Sequence, residues 1–485
     1  MIGITVTTLK EFHAGTEPLA LFAYEDGIAA PGVSAATRKA LFERAREEGF
    51  SGKAGETAAF PASDGTRERR FVLVGLGAKA SADREALRKA GAALWKAARA
   101  RHEVLGMLSP RPAGPELEGL LLSSYAFTKY KKPETPDKLA GVRVLVAAPS
   151  ERRKAEAAVE KALLLAEAVH FTRDLVNEAP SDKTPESVAA RAKALAGGGV
   201  SVKVLTKADC EKLGMGALLG VGRGAAQPPL LLHLVYKPSG KAKTRVALVG
   251  KGVLFDSGGL SLKPAQSMET MKCDMAGAAT VLGLFKVLAR LKVKAEVHGI
   301  APLAYNLPDG DAVKPGDVLR AMNGKTIEVL NTDAEGRLIL ADALCYAGLL
   351  EPHALLDFAT LTGAVVTALG GGVTGAMSND RALLARFISA AKSCGEPVWE
   401  LPLFEGYKEN IKGRFADLQN IGKARGEAGS IIGGLFLQEF VPPKTPWAHF
   451  DFAGTAWTDG GNDLGPAGGT GALVRASAEW LLGLR

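Results

Sequence analysis

Short apolar runs that stop abruptly at glycines or charged turns recur along this chain, and they restrict its fold more than any other feature. Phe71-Val72-Leu73-Val74 ends in Gly75-Leu76-Gly77, and Val142-Arg143-Val144-Leu145-Val146 is closed by Pro149. Val246-Ala247-Leu248-Val249, Ala295 to Ile300, Ile327-Glu328-Val329-Leu330 and Ala354-Leu355-Leu356-Asp357-Phe358 have the same form and lead into polar or glycine-rich turns. Runs this short and bounded this way read as strands. An alanine- and cation-rich segment from about Asp83 to Ala100 reads as a helix between two of them. Alternation of strand and helix predicts an α/β fold.

From Glu151 to about Val176 there are few helix breakers, and Ala155, Val159, Leu163, Ala166 and Val169 recur at helical spacing. A chain of 485 residues is too long for one ordinary core. We therefore expect an N-terminal α/β domain over residues 1–150, a connecting helix over 151–176 and a chemistry-bearing domain over 177–485. Each domain is expected to be a mixed, mostly parallel sheet flanked by helices. Gly75-Leu76-Gly77 has the start of a dinucleotide-binding loop but lacks its third glycine, so it reads as strand termination.

Composition narrows the functional classes. Apolar residues at 47% and charged residues at 23% fit a globular protein and exclude extensive disorder. The net charge of +8 is spread among acids rather than gathered in a block, so DNA binding is permitted but not indicated. Met1 to Val6 has no basic region followed by an apolar core, which argues against a secretory signal. The uncharged run from Phe358 to Met377 has the length of a membrane span. Gly and Thr fill nine of its 20 positions, which suits a buried strand and loop. Four cysteines without CxxC spacing fit a reducing compartment. A cytoplasmic chain without membrane partners is expected.

The chemistry concentrates in a few turns. Asn331-Thr332-Asp333-Ala334-Glu335-Gly336-Arg337-Leu338 places two carboxylates and a guanidinium between a strand and an apolar helix. Lys251-Gly252 through Asp256-Ser257-Gly258-Gly259 to Lys263-Pro264 follows the strand ending at Val249. Met271-Lys272-Cys273-Asp274 precedes a helix of small residues, where Asp274 taken alone reads as an N-cap. Asp256, Asp274, Asp333 and Glu335 together bring four negative charges, which two divalent cations would balance. The seven histidines form no HxH, HExxH or HxxxH pair, which disfavours a histidine-rich zinc site. A carboxylate pair of this kind tolerates Mn2+, Mg2+ or Zn2+.

These turns resemble the signature of the leucyl aminopeptidase family, the cytosol aminopeptidases with two metals. The resemblance also takes in Gly220 to Gly224 running to Pro228-Pro229, Asp357 to Gly363 and Trp447 to Gly454, and covers roughly residues 170–485. It implies a metal-dependent aminopeptidase that releases Leu and other apolar N-terminal residues from peptides. Lys251, Asp256, Asp274 and Glu335 would hold one metal, Mn2+ or Zn2+. Asp256, Asp333 and Glu335 would hold the other, with Asp256 and Glu335 bridging and the Asp333 carbonyl as a further ligand. Lys251 would have to be neutral. Lys263 would stay protonated and steady the developing oxyanion, and Arg337 would hold a bicarbonate that shuttles the proton. The substrate would be bound by Lys263, Met271, Asp274, Asn331, Thr360, Leu361, Gly363, Ala453 and Ala456, the last replacing a larger apolar residue of some relatives. The family also implies a homohexamer built as a dimer of trimers. A dimetal phosphoesterase is one competing reading, but such sites usually recruit histidines.

Overall fold

Within the first 150 residues the apolar runs line up as one mixed sheet. Its strands are β1 (Gly3–Thr8), β2 (Leu19–Tyr24), β3 (Gly27–Ala29), β4 (Thr57–Ser63), β5 (Glu68–Gly75), β6 (Val104–Leu108) and β7 (Gly141–Val146). They stand in the order β1-β7-β6-β2-β5-β4, with β3 on β2. The four ladders from β1 to β5 are parallel, and β3 and β4 run antiparallel to their neighbours. Successive side chains of a strand point to opposite faces, so Ala20 and Phe22 enter one core while Leu19, Leu21 and Ala23 enter another.

This computed structural model describes residues 2–65, 67–110, 114–132, 136–424 and 426–484. The chain divides into two units, Met1–Glu167 with Gly460–Ala467, and Ala168–Asp459 with Gly468–Arg485. The helix Arg152–Asn177 runs from one into the other. No helix among the described residues is long and apolar enough to cross a membrane.

The second unit carries β8 (Val200–Leu205), β9 (Leu230–Tyr236), β10 (Arg245–Gly250), β11 (Gly252–Asp256), β12 (Glu296–Asn306), β13 (Val318–Arg320), β14 (Thr326–Glu328), β15 (Ala354–Ala359), β16 (Thr374–Ser378), β17 (Val398–Glu400), β18 (Leu418–Gln419) and β19 (Trp447–Asp451). Nine of these form a sheet in the order β17-β16-β19-β15-β10-β12-β9-β8, with β11 on β12. Its centre, from β19 through β15 and β10 to β12, is parallel. Ala247 and Val249 pack with Leu338, Leu340 and Leu344 of the helix Gly336–Gly348. Val246 and Leu248 are equally buried on the opposite face. Both faces being covered explains why these runs read as continuous apolar sequence.

The structure departs from the sequence reading in three places. The run Ile327–Leu330 keeps only β14, in a side sheet with β13 and β18, because Leu330 N is taken up by Asn420 Oδ1 at 2.8 Å. The glycine-led stretch after β10 contains β11, whose Val253 and Leu254 are fully buried and which pairs with the far end of a β12 that continues to Asn306. Within 358–377 a helix, Gly363–Leu369, stands where strand and loop were expected. Thr362 caps it, accepting Val365 N at 3.1 Å.

Candidate metal centre

The carboxyl ends of the parallel strands are where ligand sites form in open α/β sheets, and the acid-bearing turns gather there. Asp256 is the last residue of β11. Its Oδ1 accepts from Gly258 N at 2.9 Å and from Asn306 Nδ2 at 2.8 Å. Gly258 turns the chain with φ +87°, and a Cβ on it would stand 2.4 Å from Ser261 O and 3.0 Å from Asp333 Oδ1. Asp333 and Glu335 lie between β14 and the helix Gly336–Gly348. One oxygen from each of Asp256, Asp333 and Glu335 lies within 4.8 Å of the other two. Asp274 follows the 3-10 turn Met271–Cys273 and does not cap the next helix, whose N-cap is Met275.

Two lysines face these acids. Lys251 Nζ lies 2.7 Å from Asp274 Oδ1, 3.0 Å from Glu335 Oε1 and 2.8 Å from Thr360 O. Lys263 Nζ lies 3.0 Å from Asp256 Oδ2 and 2.5 Å from Asp333 Oδ1. Burial, and then the Asp256 charge, push Glu335 up to about 8. Burial raises Asp274 to about 6 against the pull of Lys251, and it raises Asp333 too. Burial alone would lower the Lys251 pKa. Asp274, Glu335 and Asp256 outweigh it and hold the ammonium, so a neutral Lys251 requires a stronger cation beside it. Lys263 is likewise held charged by Asp256 and Asp333. Asp274 Oδ2 is buried with no hydrogen-bond partner among the described residues. That orphaned oxygen and the three clustered carboxylates are a hard-oxygen donor set that fits divalent cations.

Arg337 is buried one residue into the helix. Nη1 donates to Asn420 O at 2.8 Å, while Nε has no partner among the described residues. Burial brings the Arg337 pKa down to about 10, opposed by Glu335 and Asp451. Thr360 Oγ1 donates to Asp274 Oδ1 at 2.7 Å, and Asn331 Oδ1 accepts from Asp333 N at 2.9 Å, so both touch the acid turns directly. Leu361 N donates to Asp451 Oδ1 at 3.0 Å. Met271 stands three residues before Asp274, half-buried. Gly363 opens its helix at the surface, and a Cβ there would meet open space. Ala453 and Ala456 lie in the turn after β19, where Ala456 N donates to Phe452 O at 2.9 Å.

Sequence reasoning missed the groups that hold these turns. Thr332 Oγ1 donates to Gly258 O at 2.6 Å and accepts from Ser261 N at 2.8 Å, joining the two acid-bearing loops. Asn306 Nδ2 bridges Asp256 Oδ1 and Thr332 O, the latter at 3.0 Å. Asn420 Nδ2 donates to Asn331 O at 2.6 Å. Asp451 Oδ2 accepts from Thr362 Oγ1 at 2.6 Å, and Asp357 behind it takes Trp447 Nε1 at 2.7 Å and His449 Nδ1 at 2.6 Å. Asn306 and Asp451 end β12 and β19, but the strand expected from Ala295 stopped at Ile300 and none was expected at 447–451, so neither residue gave a signal in sequence.

The model of the cytosol aminopeptidase family catalytic domain matches residues 170–478, and that of its N-terminal domain matches residues 20–134. The chain belongs to the cytosol aminopeptidase family. It is 43% identical to a probable cytosol aminopeptidase of Syntrophotalea carbinolica, over 99% of both chains. A probable cytosol aminopeptidase of Streptomyces coelicolor is 44% identical over 88% of this chain and 87% of the relative. Among solved structures, the bottromycin maturation enzyme BotP in complex with Mn is 36% identical. It has a TM-score of 0.85 and covers 97% of this chain and 100% of that one. A mutant of tomato leucine aminopeptidase is 33% identical, with a TM-score of 0.87 over 99% and 96% of the two chains. Membership makes this chain a metal-dependent aminopeptidase, and Asp256, Asp333 and Glu335 form a carboxylate cluster that could hold a metal ion.

Proposed function

We propose that this chain is a leucyl aminopeptidase that removes Leu and other apolar residues from peptide N-termini, using two divalent cations, Mn2+ or Zn2+. The observation that carries the reading is the meeting of Asp256, Asp333 and Glu335 oxygens within 4.8 Å, beside an Asp274 oxygen left without a partner. Lys251, Asp256, Asp274 and Glu335 would hold one cation, and Asp256, Asp333 and Glu335 the other. Bound there, the pair would supply Lewis acidity and a water of lowered pKa. Lys251 would give up its proton in that field and become a neutral donor.

The chain's own residues account for the rest. Lys263 keeps its proton between Asp256 and Asp333, so its charge is available to a carbonyl oxygen that turns anionic. Arg337 offers its unpartnered Nε to a small anion such as bicarbonate, which would accept and return a proton. Asn331 and Leu361 would orient the substrate backbone, and Met271, Thr360, Gly363, Ala453 and Ala456 would line an apolar side-chain pocket. The same reading carries a cytoplasmic homohexamer. The test compares a chromogenic leucine anilide with its N-acetylated form. The free amine form should be cleaved, the acetylated form should not, and chelation or Asp274→Ala should abolish cleavage. Cleavage that survives chelation would sink the proposal.

A further inference from the structure

Lys183 is fully buried, yet among the described residues no carboxylate is a hydrogen-bond partner of its ammonium. Its Nζ donates to Val176 O at 3.3 Å and to Lys272 O at 2.7 Å. The nearby acid Glu178 is bound by Arg191 at 2.6 Å. A lone ammonium inside a protein is costly unless other groups replace its water, and burial draws the Lys183 pKa down to about 7. Its location supplies the replacement. Val176 lies in the last turn of the 26-residue helix Arg152–Asn177, where carbonyls lack helical partners and carry the negative end of the dipole. Charged or neutral, the amine keeps at least two N–H donors for the two carbonyls.

Lys272 makes the reciprocal tie. Its Nζ donates to Asn177 O at 3.0 Å and sits 5.5 Å from the centre of the Trp457 ring. The Met271–Cys273 turn is thus fastened twice to one helix end, through the Lys272 carbonyl and through the Lys272 side chain. The turn has three residues and little to stabilise it alone. Asp274 follows directly, with Oδ1 fixed by Lys251 and Thr360 and Oδ2 without a hydrogen-bond partner among the described residues.

We propose that Lys183, together with Lys272, is a positioning residue of the metal centre, clamping the turn that presents Asp274 Oδ2 to a cation. This rests on the dimetal reading above. The clamp acts on the one cation that Asp274 would hold and leaves the other, held by Asp256, Asp333 and Glu335, unaffected. Lys183→Met keeps the length and removes every donor. Calorimetric titration of the chelated full chain with Mn2+ should show two sites in the unsubstituted protein. In Lys183→Met one site should weaken about 10- to 100-fold, as when outer groups orienting a ligand are lost, and the other should stay within about twofold. Both sites unchanged, or both weakened alike, would overturn the clamp. Fewer than two sites in the unsubstituted protein would instead overturn the dimetal reading. Should Lys183→Met fail to fold, Lys272→Met, on a half-exposed side chain, is read in the same way and against the same outcomes.

Discussion

At the scale of single residues, the centre depends on how closely Lys251 can approach its acids, and a glycine sets that distance. A Cβ on Gly336 would stand 2.3 Å from Lys251 Cε and 2.6 Å from Nζ. Alanine is otherwise the better residue in a helix, by about 1 kcal/mol. Gly336→Ala should therefore keep the helix content while displacing Lys251 from Asp274 and Glu335. A displacement of this size costs about 100-fold in rate. Circular dichroism and the anilide assay separate the two effects, and unchanged activity would show that Lys251 does not need its position. The acids were legible as four carboxylates gathered in turns after apolar runs, although Asp274 alone read as an N-cap, and the lysines gained roles only through the family resemblance. Thr332, Asn420 and Asp451 were not legible. Neutral or lone polar residues near strand ends are common, and only the fold brings Thr332 to Ser261 and Asp451 to Thr362.

At the scale of elements, the long runs were readable and the short ones were not. β10 and β15 are apolar over most of their length because both faces are covered, whereas β14 keeps three residues and is held by Asn420 and Asp417 rather than by composition. The sheet also carries a polar chain that composition hides. Tyr346 meets His233 at 3.0 Å, His233 meets His298 at 2.9 Å, and His298 meets Glu296 at 2.8 Å. Burial lowers His233 to about 4. A histidine whose folded pKa lies below its unfolded value of about 6.5 binds fewer protons when folded. Its contribution to stability is therefore complete above pH 6.5 and is lost as pH falls towards 4. Urea midpoints measured between pH 7 and pH 4 should fall, and His233→Gln should flatten that slope. An equal slope in the variant would place the acid sensitivity elsewhere.

At the scale of the whole molecule, the α/β character of both units followed from strand–helix alternation, and the helix Arg152–Asn177 from its uninterrupted apolar spacing. The return of residues 460–467 to the first unit had no signal in sequence, since it rests on contacts such as Ser123 Oγ to Asp463 O at 3.1 Å across 340 positions. On the dimetal reading, this chain hydrolyses peptides only when its four carboxylates hold two divalent cations. Titrating the chelated protein with Mn2+ while following leucine anilide cleavage tests it most directly. Cleavage should be absent at zero metal and rise to saturation once two Mn2+ are bound per chain. Full cleavage by the metal-free protein, or saturation with the carboxylate centre still unloaded, would contradict it.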